Sequence, residues 1–68
     1  MTLPDERTRA VIYARDFLRD LLDPKATPKV PLHVRKRAAS VLRHFPGYVD
    51  MLYASEDLPS VFGRPSKP

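Results

Sequence analysis

Proline positions limit where helices can begin and end in this chain. Proline disfavours the α conformation in the residue before it, and it fits a helix only in the first turn. Pro24 therefore ends a helix at Asp23, and Pro31 suits the first position of a second helix. Pro46 ends that second helix. We expect two helical segments joined by a short loop that its prolines stiffen.

The segment before Pro24 has the period of an amphipathic helix. Thr2 and Asp5 are typical of a helix start, because a hydroxyl can cap early amides and a carboxylate favours the positive helix end. Apolar residues share one arc at 100° per residue, and most charged residues lie on the rest. The arc consists of Leu3, Ala10, Val11, Ala14, Phe17, Leu18, Leu21 and Leu22. This pattern predicts a core-facing helix.

Two further segments have weaker helical patterns. Between Pro31 and Phe45, apolar residues share a face that consists of Val34, Ala38, Val41, Leu42 and Phe45. From Tyr48 to about Ala54, a few apolar side chains can close over the first two helices. The sequence predicts an all-α fold: an antiparallel helical hairpin (about 3–22 and 31–45) closed by a short third helix (about 48–54). A single domain is expected over residues 1–62, followed by a disordered tail at 63–68.

The chain is short and lacks cysteine, which bounds both its stability and its chemistry. A domain of 68 residues buries only about 60% of the surface that its unfolded chain exposes. Without cysteine, disulfides, thiolate zinc sites and cysteine nucleophiles are excluded. The fold must therefore rely on helix packing, and self-association is an open way to add stability.

No catalytic, metal or cofactor site is predicted. His33 and His44 are about 16 Å apart along a helix, which is too far for them to bind one ion. Ser40, His44 and Asp50 can be drawn as a triad, but no glycine turn that would form an oxyanion hole accompanies them. A small hydrolytic enzyme is thus the weakest of the functions considered.

Basic charge is concentrated in the middle of the chain. Residues 23–45 contain six Lys and Arg residues against one Asp, which gives a net charge of +5. Such a surface can neutralise phosphates, although it can equally be a solvated face. Aromatic residues do not interleave with the basic ones as they do in a platform for base stacking. The candidate interaction or phosphate-binding surface consists of Lys25, Lys29, His33, Lys36, Arg37, Arg43 and His44.

Arg7 lies where the apolar arc of the first helix predicts a leucine. In an antiparallel hairpin the start of the first helix lies beside the end of the second. We therefore expect Arg7 to bond the unpaired carbonyls near His44 and Phe45. The alternative is an anion site at this end of the hairpin, formed by Arg7, Arg9, Arg43 and His44. Arg35, like Arg7, is interpreted as structural.

Ile12 is a large apolar residue on the charged side of the first helix. A single exposed isoleucine is ordinary. Together with Tyr13, however, it forms a candidate self-association patch.

Location is expected to be cytoplasmic, without a membrane partner. The first residues lack the basic start and apolar run of a secretory signal. No stretch approaches the roughly 18 apolar residues of a membrane-spanning helix.

Four short segments together resemble a family of small proteobacterial proteins of unknown function. They are ERTRAV at 6–11, FLRDL at 17–21, P-x-x-V-R at 31–35 and A-x-x-L-R-H-F-P at 39–46. The resemblance implies a bacterial cytosolic protein, and it carries no activity, substrate or site. It also pairs ERTR with RHFP, the two ends that a hairpin would bring together.

The sequence therefore favours a non-enzymatic protein-interaction module that binds an unidentified protein partner or forms a homo-oligomer. The main alternative is a nucleic-acid-associated protein that uses the basic face of the second helix. Binding to nucleic acid would weaken steeply with salt.

Overall fold

The computed structural model describes residues 1–66, which form three α-helices and no strand. The helices are α1 (Pro4–Leu22), α2 (Leu32–Leu42) and α3 (Tyr48–Asp57). Helices α1 and α2 contact each other as a hairpin. The predicted all-α class, with a hairpin and a short third helix, is confirmed.

Contacts group the chain into two compact units. The hairpin unit is Ala14–Phe45, which contains the second half of α1, the loop and α2. The terminal unit combines Met1–Tyr13 with the residues from Pro46 onward, which include α3. Each unit is described below by itself.

The start of α1 is capped by a carboxylate rather than by the expected hydroxyl. The backbone N–H of Leu3 donates to Oε1 of Glu6 at 2.8 Å. Pro4 occupies the first helical position, where a missing N–H costs nothing. The Thr2 hydroxyl instead accepts a hydrogen bond from Nε of Arg7. The predicted cap was therefore placed on the wrong residue.

Arg35 closes the hairpin unit. Its guanidinium donates to the carbonyl oxygen of Leu21 at 2.7 Å and to that of Thr27 at 2.6 Å. The Thr27 hydroxyl in turn donates to the carbonyl of Asp20 at 2.6 Å. Carbonyls at a helix C-terminus have no partner within the helix, and a cation is favoured there. The structural role predicted for Arg35 is thus observed, at the end of α1.

The other two helices differ in length from the sequence prediction. Helix α2 ends at Leu42 instead of 45, because Phe45 precedes Pro46 and is disfavoured in the α conformation. Helix α3 begins after Gly47, whose N–H donates to Oδ2 of Asp50 at 2.9 Å. It continues to Asp57 instead of 54.

In the terminal unit, the chain after α3 packs on the start of α1. Thr8 is 1% exposed, and its hydroxyl donates to the carbonyl of Gly63 at 2.7 Å. The N–H of Gly63 donates to the carbonyl of Pro4 at 3.0 Å. A Cβ at position 63 would lie 2.9 Å from the Cα of Asp5, so this close approach requires glycine.

This packing extends the ordered structure beyond the predicted domain boundary at 62. The backbone N–H and the carbonyl of Gly63 both form hydrogen bonds with α1, and Pro65 is buried. The sequence predicts a disordered tail at 63–68, since chain ends without anchoring contacts are commonly disordered. Residues 67–68 of that tail lie outside the described residues.

Replacing Arg35 tests the closure of the hairpin unit. Arg35→Met keeps the aliphatic stem but removes the donors to Leu21 and Thr27. We expect a loss of about 1–3 kcal/mol of unfolding free energy, because two carbonyls lose charge-assisted hydrogen bonds. Thermal unfolding followed by circular dichroism measures the loss. Lys36→Met removes the same charge from an exposed neighbour, and an equal loss in both variants would contradict the role of Arg35.

Candidate interaction site

Arg7 is structural, but its partners are not those that the sequence predicts. Its guanidinium donates to the carbonyl oxygens of Thr2 at 2.7 Å, Val61 at 3.0 Å and Ser60 at 3.4 Å. The prediction that Arg7 bonds the carbonyls near His44 and Phe45 is therefore wrong. The segment after α3 supplies the acceptors instead, within the terminal unit.

The proposed anion site loses its central residue for the same reason. Arg7 forms four hydrogen bonds with oxygens of Thr2, Ser60 and Val61, so four of its five N–H donors are already used. Arg9 is exposed in the terminal unit, whereas Arg43 and His44 are exposed in the hairpin unit. The structure gives no support for an anion site centred on Arg7.

The patch of Ile12 and Tyr13 is only half exposed. Tyr13 is 64% exposed, but Ile12 is half-buried. The sheltered side of α1 contains Thr8, Val11 and Ile12 and is rotated away from the arc that the sequence predicts. Ile12 therefore contributes to packing, and the candidate self-association patch shrinks to Tyr13.

The opposite error concerns Phe17, which the sequence places in the core. Phe17 is 60% exposed, and Val41 on the predicted core face of α2 is 54% exposed. Ala38 is the one apolar side chain of the hairpin unit that is buried. A pair of helices covers only one side of each helix, and the apolar arcs of this hairpin are wider than that side.

The surplus apolar side chains border a shallow groove between α1 and α2. The groove has a volume of about 260 Å³. It is lined by Leu18, Leu21, Val34, Arg37, Ala38 and Val41. Phe17 precedes Leu21 by one helical turn and so lies on the same side of α1. We call these residues together the apolar groove.

The two edges of the apolar groove carry opposite charges. On the α1 edge, Asp20 follows Phe17 by one turn. It lies in a polar depression together with Asp16, Arg19 and Asp23. On the α2 edge, Arg37 is part of the groove wall, one turn from both Val34 and Val41. We call these the acidic edge (Asp16, Asp20, Asp23) and the basic edge (His33, Arg37).

The predicted basic surface is exposed but does not form one cluster. Each of its seven residues is exposed: Lys25, Lys29, His33, Lys36, Arg37, Arg43 and His44. His33 and Arg37 share the row of α2 that borders the apolar groove, whereas Lys36 lies on the other side of α2. Arg43 and His44 follow the end of α2 at Leu42. Lys25 and Lys29 are in the loop, and Lys29 has a backbone φ of 65°, which is in the left-handed region.

Comparison with models of protein families, with curated proteins and with solved structures finds no match. Within residues 1–66, no three His, Asp or Glu side chains are grouped closely enough to hold a metal ion. In the same residues no helix is both long and apolar enough to cross a bilayer. The apolar groove and its edges are therefore the features of the described residues that bear on function.

Sequence reasoning missed the apolar groove, although a signal for it exists. Apolar residues at 14, 17 and 21 of α1 and at 34, 38 and 41 of α2 alternate spacings of three and four. This is the spacing of an apolar seam that packs on another helix. Together the two seams contain more apolar surface than one hairpin can cover.

Replacing Arg7 tests its observed role. Arg7→Ala is expected to lower the unfolding free energy by about 1–2 kcal/mol, because the carbonyls of Ser60 and Val61 lose their donor. Thermal unfolding measures the change. Arg9→Ala, in which an exposed arginine of the same helix is removed, is the control and should leave the melting temperature unchanged. Equal melting of Arg7→Ala and the unmodified chain would rule out this role.

Proposed function

We propose that this chain is a non-enzymatic interaction module that docks another protein molecule on its apolar groove. The observation that carries the proposal is the exposure of Phe17 and Val41 beside a groove whose only buried apolar side chain is Ala38. Full burial of a Phe or Val side chain is worth about 1.5–3 kcal/mol. Covering this groove would therefore provide a driving force that the isolated hairpin unit lacks.

The arrangement of charge also supports docking of a protein. The apolar groove is flanked by the acidic edge on α1 and the basic edge on α2. Protein interfaces commonly have an apolar centre with a polar rim, and the rim charges select the partner and its orientation. A groove with one edge of each sign suits a partner that also carries both signs. A cytoplasmic location, expected from the sequence, is part of this proposal.

Phosphate binding by the basic surface is the competing function. All seven of its residues are exposed and so are accessible to a polyanion. However, Arg37 is in the groove wall, and the acidic edge of α1 lies across the groove from it. A negatively charged backbone laid along the groove would be repelled by Asp20. Capture of nucleic acid by this chain would therefore contradict the proposal.

A capture experiment with matched variants tests the proposed function. The purified, tagged chain is incubated with bacterial lysate that also contains the untagged chain, with and without nuclease, at low salt and at about 0.5 M salt. Phe17→Lys introduces a charge into the apolar groove. Leu32→Lys makes the same kind of change at a leucine that is 66% exposed on the far side of α2. We expect proteins to be captured through both treatments by the unmodified chain and by Leu32→Lys, but not by Phe17→Lys.

Two results would contradict the proposal. One is capture that Phe17→Lys and Leu32→Lys leave equally intact, since the groove would then have no part in it. The other is capture of nucleic acid that disappears with nuclease and at high salt. That result would favour the basic surface as the functional site.

A further inference from the structure

We infer that the molecule that occupies the apolar groove is a second copy of this chain. The two copies are related by a two-fold axis parallel to the helices, so that α1 of each copy lies over α2 of the other. The inference rests on the proposed function, which supplies the groove as a docking surface. It adds the identity of the partner and its orientation.

Charge complementarity provides the first argument. A two-fold axis brings the same surface of both copies together, so that the surface must complement itself. The apolar groove has this property, because its α1 edge carries Asp20 and its α2 edge carries Arg37. A partner of uniform charge would be attracted to one edge and repelled by the other.

The direction of the axis follows from the same charges. If the axis ran across the helices, α1 would lie over α1 and α2 over α2, so that the acidic edges would meet each other and the basic edges would meet each other. If the axis runs along the helices, α1 lies over α2 and the acidic edge of each copy meets the basic edge of the other. Like charges placed opposite each other disfavour the first arrangement.

The second argument is the position of Asp20 and Arg37 along the direction of the helix axes, which we call their level. The hydrogen bond from Arg35 to the carbonyl of Leu21, and the groove that Leu21 lines together with Val34 and Arg37, place the end of α1 alongside the first half of α2. Because the helices are antiparallel, Asp20 lies within about one helical turn, or about 5 Å along the axis, of the level of Arg37. Rotation about an axis along the helices preserves level. Asp20 of one copy therefore arrives beside Arg37 of the other.

Phe17 also finds a matching position in this arrangement. Leu18, the neighbour of Phe17, lines the groove together with Arg37 and Val41, so Phe17 lies at the level of this segment of α2. The aromatic ring of each copy would then enter the groove wall of the other between these two side chains. An arginine beside an aromatic ring adds a favourable cation–π contact. An aromatic side chain that is 60% exposed in one copy thus becomes a contact of the other.

The size of the groove predicts a weak dimer. The 11 residues of α2 span about 16 Å, and two packed helices are about 20 Å wide. This face is smaller than the roughly 800 Å² per partner of a standard stable interface. We therefore expect dissociation in the micromolar range or above, and a population of dimer that rises with concentration.

A charge-exchange series measured by sedimentation equilibrium tests the inference on the full chain. Asp20→Lys and Arg37→Glu each place like charges at the meeting edges, and each should weaken dimerisation at least about tenfold. The double variant Asp20→Lys, Arg37→Glu exchanges the two signs. Its dimer dissociation constant should return to within about threefold of that of the unmodified chain. The matched controls are Lys36→Glu, on the other side of α2, and Glu56→Lys, in α3. Each should change the dimer dissociation constant little. Circular dichroism confirms that each variant is helical.

The outcomes separate this inference from the proposed function. A double variant that dimerises as weakly as the two single variants would overturn the orientation. In another outcome, the unmodified chain stays monomeric up to about 1 mM but still captures lysate proteins that Phe17→Lys does not capture. That result would contradict a second copy as the partner and would leave the proposed function standing. If the unmodified chain is monomeric and Phe17→Lys changes no capture, both fail.

Discussion

The clamp formed by Arg35 fixes the geometry on which the candidate site depends. Its guanidinium bonds carbonyl oxygens of Leu21 and Thr27, so it ties α2 to the C-terminal end of α1. This contact holds the end of α1 beside the beginning of α2. The groove residues of the two helices, among them Leu21 and Arg37, therefore face each other across the same stretch of the hairpin.

The hairpin that results is too small to cover its own apolar residues. Ala38 is buried where the helices approach, and its short side chain permits that approach. Phe17 and Val41 are left beside the groove because neither helix has a neighbour on that side within the hairpin unit. The same apolar surface that limits the stability of the hairpin can thus drive association with another molecule.

Proline positions and helical period were sufficient to predict the class of the fold and the approximate ends of α1 and α2. They were insufficient to predict rotation about the axis of α1, because its apolar arc was wide enough to allow more than one buried face. For this reason the sequence places Phe17 in the core and Ile12 on the surface, whereas Phe17 is exposed and Ile12 is half-buried. The partners of Arg7 were missed because Ser60 and Val61 are more than fifty residues away in a segment without period. The opposite charges of the groove edges appear only once the two helices are placed side by side.

The most direct measurement of the central claim is a dilution series of the isotope-labelled chain followed by amide NMR. The account predicts that resonances of Phe17, Leu21 and Val41 shift together with concentration along one binding curve, whereas those of Leu32 and Lys36 stay constant. Shifts that concentrate on Leu32 and Lys36, or spectra that do not change up to about 1 mM, would contradict the claim that the apolar groove is where two copies meet.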